Sequence, residues 1–268
     1  LLPVREQGHL ITLTVTDDDE ARRVVHTANC ATCHEWFERH GGNRVYEIAI
    51  CTMCHVPNQS SSGRTITDPS DGLLEDFADA EDHDALDPDV DPNDPLTYPE
   101  DAQNLKDLVH GIHSSGDRSR SFTHVRGGRE GYYDWSHITF PRGASTANCM
   151  LCHKSGTFSL PLDEGLLPTT VRTTSASDGQ DGTIGDAEGA FQNVPNEYDW
   201  INSPTASSCF YCHTTKDAMN HMKQNGALLS APKGPFVNRQ DVGQNLESCS
   251  VCHGPGKTAD IAEAHNQD

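Results

Sequence analysis

All ten cysteines of this 268-residue chain fall in one five-residue pattern, CxxCH, written five times. The copies are CATCH (Cys30, Cys33, His34), CTMCH (Cys51, Cys54, His55), CMLCH (Cys149, Cys152, His153), CFYCH (Cys209, Cys212, His213) and CSVCH (Cys249, Cys252, His253). Two thiols at this spacing add across the vinyl groups of a porphyrin as thioethers, and the histidine that follows is held beneath the iron as its proximal ligand. Five copies therefore predict five covalently attached haem c groups. The paired CxxC of Cys30, Cys33, Cys51 and Cys54 also satisfies the spacing of a zinc ribbon. Zinc has no use for a histidine directly after the second cysteine of every motif, and haem does.

If all ten thiols are consumed in this way, none is left for disulfides, so cysteine usage says nothing about the redox compartment. Attachment of c-type haem takes place beyond the cytoplasmic membrane, which predicts an exported protein, extracellular, on the outer-membrane surface or periplasmic. The chain opens Leu1-Leu2-Pro3 without methionine or a signal peptide and reads as a processed or excised piece. No stretch approaches the roughly 18 apolar residues of a membrane span.

A haem with one histidine has an open sixth position, whereas a second histidine closes the iron to substrate and suits it to electron transfer. Ten histidines lie outside the motifs. His110 and His113 stand three apart on a helix predicted over Glu100–Ser114, whose apolar stripe is Leu105, Leu108, Val109 and Ile112. Such a pair projects about 60° apart and can address two neighbouring irons. His221 falls on a second predicted helix, Thr214–Gly226, with Gly226 as its C-cap. His40 precedes Gly41-Gly42 in a tight turn, and His265 lies on a short terminal helix. These are the five candidate distal ligands. His9, His26, His83, His124 and His137 are assigned ordinary hydrogen-bonding or surface roles, with His26 and His137 the first alternatives.

The elements that carry these residues are predicted to be short. One CxxCH is about one helical turn, so short α-helices are expected at the motifs, in a mainly irregular fold around a covalent multihaem core. Apolar residues make up only 34% of the chain, below the usual share of about 45–50%, and the macrocycles are expected to supply the missing apolar bulk. The uneven spacing of the motifs is not that of a solenoid. His9 to Thr16, HLITLTVT, alternates as a β-strand and breaks at Asp17-Asp18-Asp19. It reads as the end of an upstream β-sandwich or an arm that pairs with one, which divides the chain into residues 1–21 and a haem domain over 22–268.

A net charge of −21 excludes nucleic acid as a natural partner and disfavours an anionic membrane surface. The run DAEDHDALDPDVDPNDP and the stretch Ser177–Gly189 read first as solvated acidic loops. Calcium is the sharper alternative, but neither run completes the twelve-residue loop that ends in glutamate, so no ligand is assigned there.

The stretches RRVVHTANCATCHEWFERHGGNRVYEIAICTMCHVPN, LKDLVHGIHSSG, INSPTASSCFYCHTTKDAMNHMKQNGA and ESCSVCHGPGKTADIAEAH resemble the outer-membrane decahaem cytochromes of metal-reducing bacteria, the OmcA/MtrC family. The resemblance covers nearly everything after about Arg22. It implies distal ligation by His40, His110, His113, His221 and His265, and no catalytic side chain. It also implies that electrons arrive from an outer-membrane conduit and leave to metal oxides, chelated metals, flavins or other multihaem cytochromes. The family carries two pentahaem groups and two β-sandwiches where this chain has one haem group, so the chain is expected to be either one half of such a wire or a shorter relative that self-assembles. Two other functions compete: a subunit of a cytochrome filament with ligands shared between chains, and a multihaem reductase with an open iron. The latter usually departs from CxxCH at one motif, and none does here.

Overall fold

The computed structural model describes residues 11, 22–35, 38–40, 44–61, 101–120, 122–125, 132–141, 143–163, 166–172, 199–233 and 247–265. The predicted strand at His9–Thr16, apart from Ile11, lies outside them, as do His9, His83 and both acidic runs. In chain order the elements are α1 (Thr27–His34), β1 (Glu38–Arg39), β2 (Arg44–Val45), α2 (Ile48–Cys51), α3 (Leu105–Ser114), β3 (Thr123–Val125) and β4 (Tyr132–Asp134). They continue with β5 (Thr169–Arg172), β6 (Trp200–Asn202), α4 (Pro204–Phe210), α5 (Lys216–Gln224), β7 (Ala231–Pro232), α6 (Ser250–His253) and α7 (Ile261–Ala264). Short 3-10 turns at Ser115–Asp117 and Cys149–Leu151 complete the set among the described residues.

The chain divides into two compact units. The first takes in Leu1–His55, Ala144–Leu162 and Ser250–Asp268. Here α1 starts where His26 leaves extended geometry, and α2 starts at Glu47, whose carboxylate accepts from the Ala49 N–H at 3.0 Å and from the Thr27 hydroxyl at 3.2 Å. One acidic cap thus fastens the first helix to the second. Between them β1 and β2 pair antiparallel, Glu38 opposite Val45 and Arg39 opposite Arg44. His40 begins the turn at φ 56°, a left-handed conformation that costs a side chain on the order of 1 kcal/mol.

The second unit takes in Val56–Gly143 and Asp163–Cys249. Its apolar cluster is Ala102, Phe122, Ala206, Phe210, Tyr211, Met222, Ala227 and Leu229, with Leu108, Ile112 and Trp135 packed against it. Gly111 is what lets α3 approach that cluster: a Cβ there would sit 2.5 Å from Cζ of the Phe122 ring. β5, β6 and β7 form an antiparallel sheet, irregular between Thr170 and Arg172, and β3 pairs with β4.

The helix predicted from Glu100 begins instead at Leu105. Asn104 is a better N-cap than a helix interior residue, and its Oδ1 accepts from the Asp107 N–H at 2.9 Å. The residues before it bond elsewhere: the Ser61 N–H donates to the Asp101 carbonyl at 3.0 Å and the Gln103 N–H to the Gln59 carbonyl at 2.7 Å. The second predicted helix is α5, capped by the Thr215 hydroxyl, which accepts from the Ala218 N–H at 3.2 Å; Gly226 follows it at φ 89°.

Candidate functional site

Every motif bends through a helical or 3-10 turn. The first lies within α1, the second runs off the end of α2, the third occupies the turn at Cys149–Leu151, the fourth runs off α4 and the fifth enters α6. The His55 N–H donates to the Cys51 carbonyl at 2.9 Å, His153 to Cys149 at 2.8 Å and His213 to Cys209 at 2.9 Å. Positions i, i+3 and i+4 share one side of such a turn, so both sulfurs and the imidazole address the same space.

None of the ten thiols is in a disulfide. Burial pushes Cys209 up to about 12 and also raises Cys30, Cys152, Cys212 and Cys249, with burial the largest cause in each. These surroundings disfavour a thiolate and suit a neutral thioether. Among the described residues no group of three or more His, Cys, Asp or Glu is arranged to hold a metal ion, as a zinc ribbon requires. The large apolar side chains left exposed among the described residues are Ile11, Met53, Val56, Met150, Leu151 and Val251. All but Ile11 lie within a CxxCH or directly after one, where a flat apolar group would cover them.

The ring nitrogens carry the clearest chemical signal. Nδ1–H of His113 donates to the Val109 carbonyl at 2.8 Å, that of His265 to the Ile261 carbonyl at 2.8 Å, and that of His253 to the Ala259 carbonyl at 3.0 Å. The Thr157 hydroxyl directs its proton to the carbonyls of Val24 and Lys154, which leaves its oxygen to accept from His153 Nδ1 at 3.4 Å. Each arrangement fixes the proton on Nδ1 and so leaves the lone pair on Nε2, the tautomer in which proteins present an imidazole to a metal. Burial, with the Arg22 cation adding to it, lowers the pKa of His153, which favours the neutral ring that ligation needs. Buried His124 is the opposite case: Trp135 Nε1–H donates to its Nδ1 at 3.3 Å, so its lone pair is already engaged.

His40 and His55 face each other with ring centroids 6.1 Å apart and planes 25° from parallel. That separation is also about the span of two metal–nitrogen bonds of ~2 Å with an imidazole at each end. His110 and His113 both stand on α3, and His113 lies edge-on to Phe140 at 6.1 Å. His221 is exposed on α5, in the unit that holds His213, and His265 follows α7, in the unit that holds His253. His26 is the N-cap residue of α1, and His137 is exposed.

A family described as outer membrane cytochrome MtrC/MtrF-like, domains II/IV, matches residues 22–266. The chain belongs to that family. The matched span takes in all five motifs and all five candidate distal histidines. No curated protein matches the chain. Membership makes it an outer-membrane multihaem cytochrome of electron transfer with covalent haem c, the group the motif turns fit. Among the described residues no helix is long and apolar enough to cross a membrane.

Sequence reading missed the groups that hold the motif turns of this MtrC/MtrF-like chain in place. Asn29 Nδ2 donates to the Cys152 carbonyl at 3.0 Å, and Val25 bridges His153, which ties the first motif to the third. Glu247 caps α4 from far along the chain: its carboxylate accepts from the Ser203 hydroxyl at 2.6 Å, the Thr205 N–H at 2.8 Å and the Ala206 N–H at 2.7 Å. The only local hint was that α4 begins Ser203-Pro204 with no acid in its first turn, leaving its N–H groups to be satisfied from elsewhere.

Proposed function

We propose that residues 22–268 are a pentahaem electron-conducting domain, each iron closed by two histidines. The thioether pairs are the ten motif cysteines and the proximal ligands His34, His55, His153, His213 and His253. The distal ligands are His40, His110, His113, His221 and His265. Bound haem c supplies a one-electron couple whose potential follows ligand, burial and neighbouring charge. The chain's residues do the rest: the motif turns fix each macrocycle, the Nδ1 bonds hold the imidazoles in register, and closed irons exclude substrate.

The observation that carries this reading is His40 opposite His55 at 6.1 Å. It supports a second histidine on an iron whose tether is CTMCH, and an iron so closed passes electrons rather than binding a substrate. Electrons would enter from another cytochrome or an outer-membrane conduit and leave to metal oxides, chelated metals or flavins. The test is production with a c-type maturation apparatus, then intact mass under denaturing conditions and a reductive titration. A mass increase of five haems with five electrons taken up per chain is expected. Fewer haems, or bound zinc in their place, would overturn the reading.

A further inference from the structure

Arg118 follows the 3-10 turn after α3 and lies inside the second unit, against the aromatic part of its core. Its Cζ is 4.9 Å from the centre of the Phe122 ring and 5.7 Å from that of Tyr211. Those two rings meet edge to face at 5.7 Å, so the guanidinium rests on a fixed aromatic corner. Ring faces attract a cation, but they accept no conventional hydrogen bond. Nε and Nη1 of Arg118 are both shielded from water and have no acceptor among the described residues. Burial also lowers the pKa of the group, the direction expected for a cation removed from solvent without an ion pair.

Guanidinium N–H groups shielded from water without an acceptor are costly, so folds rarely keep them without an anion. Asp101 is the carboxylate within electrostatic reach, but its Oδ1 already accepts from the Tyr211 hydroxyl and from the Ala102 N–H at 2.9 Å. Asp117, next in sequence, is exposed. The missing acceptor is therefore not one of these side chains. Arg118 lies five positions after His113, a candidate distal ligand, and beside Tyr211, which is inside the CFYCH tether. A planar carboxylate arriving there would meet Nε–H and an Nη–H together, the fork that guanidinium offers to carboxylates.

We propose that Arg118 is a receptor for one haem propionate, whose carboxylate accepts from its Nε–H while Phe122 and Tyr211 hold the guanidinium flat. The proposal rests on the haem reading above and adds a site that the tethers and axial ligands do not supply. Its consequence is electrostatic. A cation held against a propionate favours the ferrous state of that haem, so Arg118 raises one midpoint potential relative to the same haem without it.

The test uses the haem-loaded chain in two stages, after intact mass has established loading. Haem labelled with 13C at the propionate carboxyls, through labelled aminolevulinate, is combined with 15N-arginine, and carbon–nitrogen dipolar coupling is measured by solid-state NMR. Coupling between one propionate carbon and a guanidinium that disappears in Arg118→Lys is expected. Loaded protein without that coupling overturns the proposal and leaves the haem reading intact, whereas a chain without haem overturns both. Redox titration of Arg118→Lys and Arg118→Gln then reads the consequence: one midpoint moves negative, further in Gln than in Lys, with the others in place. Unchanged midpoints in a fully loaded Arg118→Gln would contradict it.

Discussion

His40 and His55 face each other with centroids 6.1 Å apart and planes 25° from parallel, held by a two-strand hairpin on one side and the end of α2 on the other. His40 reaches that position from a left-handed backbone, φ 56°, which glycine adopts without strain. His40→Gly therefore removes the imidazole while easing the turn. It is expected to open one iron per chain, seen as a high-spin ferric EPR signal and as carbon monoxide binding in the ferrous state. His124→Phe, at a ring whose lone pair faces Trp135, is expected to leave every iron low-spin. No high-spin signal in His40→Gly would remove His40 from the ligand set.

Glu247 satisfies three donors at the start of α4, the helix that leads into CFYCH. Glu247→Ala leaves two helix N–H groups unmet and the buried Ser203 hydroxyl with only the Leu228 carbonyl at 3.4 Å, and is expected to cost about 2–3 kcal/mol. Glu247→Gln, which still offers an acceptor oxygen, is expected to lose less. Guanidinium denaturation of the haem-loaded proteins orders the three, and equal midpoints for wild type and Glu247→Ala would refute the cap.

Gly111 marks the closest approach of α3 to the aromatic core. A Cβ at that position would lie 2.5 Å from Phe122, so Gly111→Ala is expected to destabilise by about 1–3 kcal/mol in spite of alanine's better helix propensity. Pairing it with Phe122→Leu should recover part of the loss, and a double-mutant cycle in thermal unfolding measures the coupling. Additive effects would mean that the two positions do not touch.

Asp107 is fully buried on α3, and burial raises its pKa to about 6 against the opposing pull of Lys106, whose Nζ is 3.7 Å away. Its folded value lies above that of the unfolded chain, so the fold holds a proton there that the unfolded chain releases. Stability from this group is full below about pH 4 and falls as pH rises through about 6, by roughly 3 kcal/mol, then levels off. Asp107→Asn is expected to flatten that slope in denaturation measured from pH 4 to 7.5. A slope unchanged in the variant would show that Asp107 is not its source.

Much of the candidate site could be read from the sequence because the proposed chemistry is local: the cysteine pair and histidine of each motif lie within five residues, and His110 and His113 share a helix whose period is written in Leu105, Leu108 and Ile112. The start of that helix was misplaced because its first residues bond across the chain to residues 59–61 instead. Glu247 and Arg118 were invisible for the same reason, since nothing near either residue in sequence shows what it faces in space. The tautomers of His113, His124 and His265 likewise depend on a carbonyl or an indole brought near by folding.

Near-infrared magnetic circular dichroism of the oxidised, fully loaded chain separates iron held by two histidines from iron held any other way. Bis-histidine charge-transfer intensity equivalent to five irons per chain is predicted. Intensity for fewer than five, with the remainder high-spin or in another ligation class, would contradict the closed pentahaem wire.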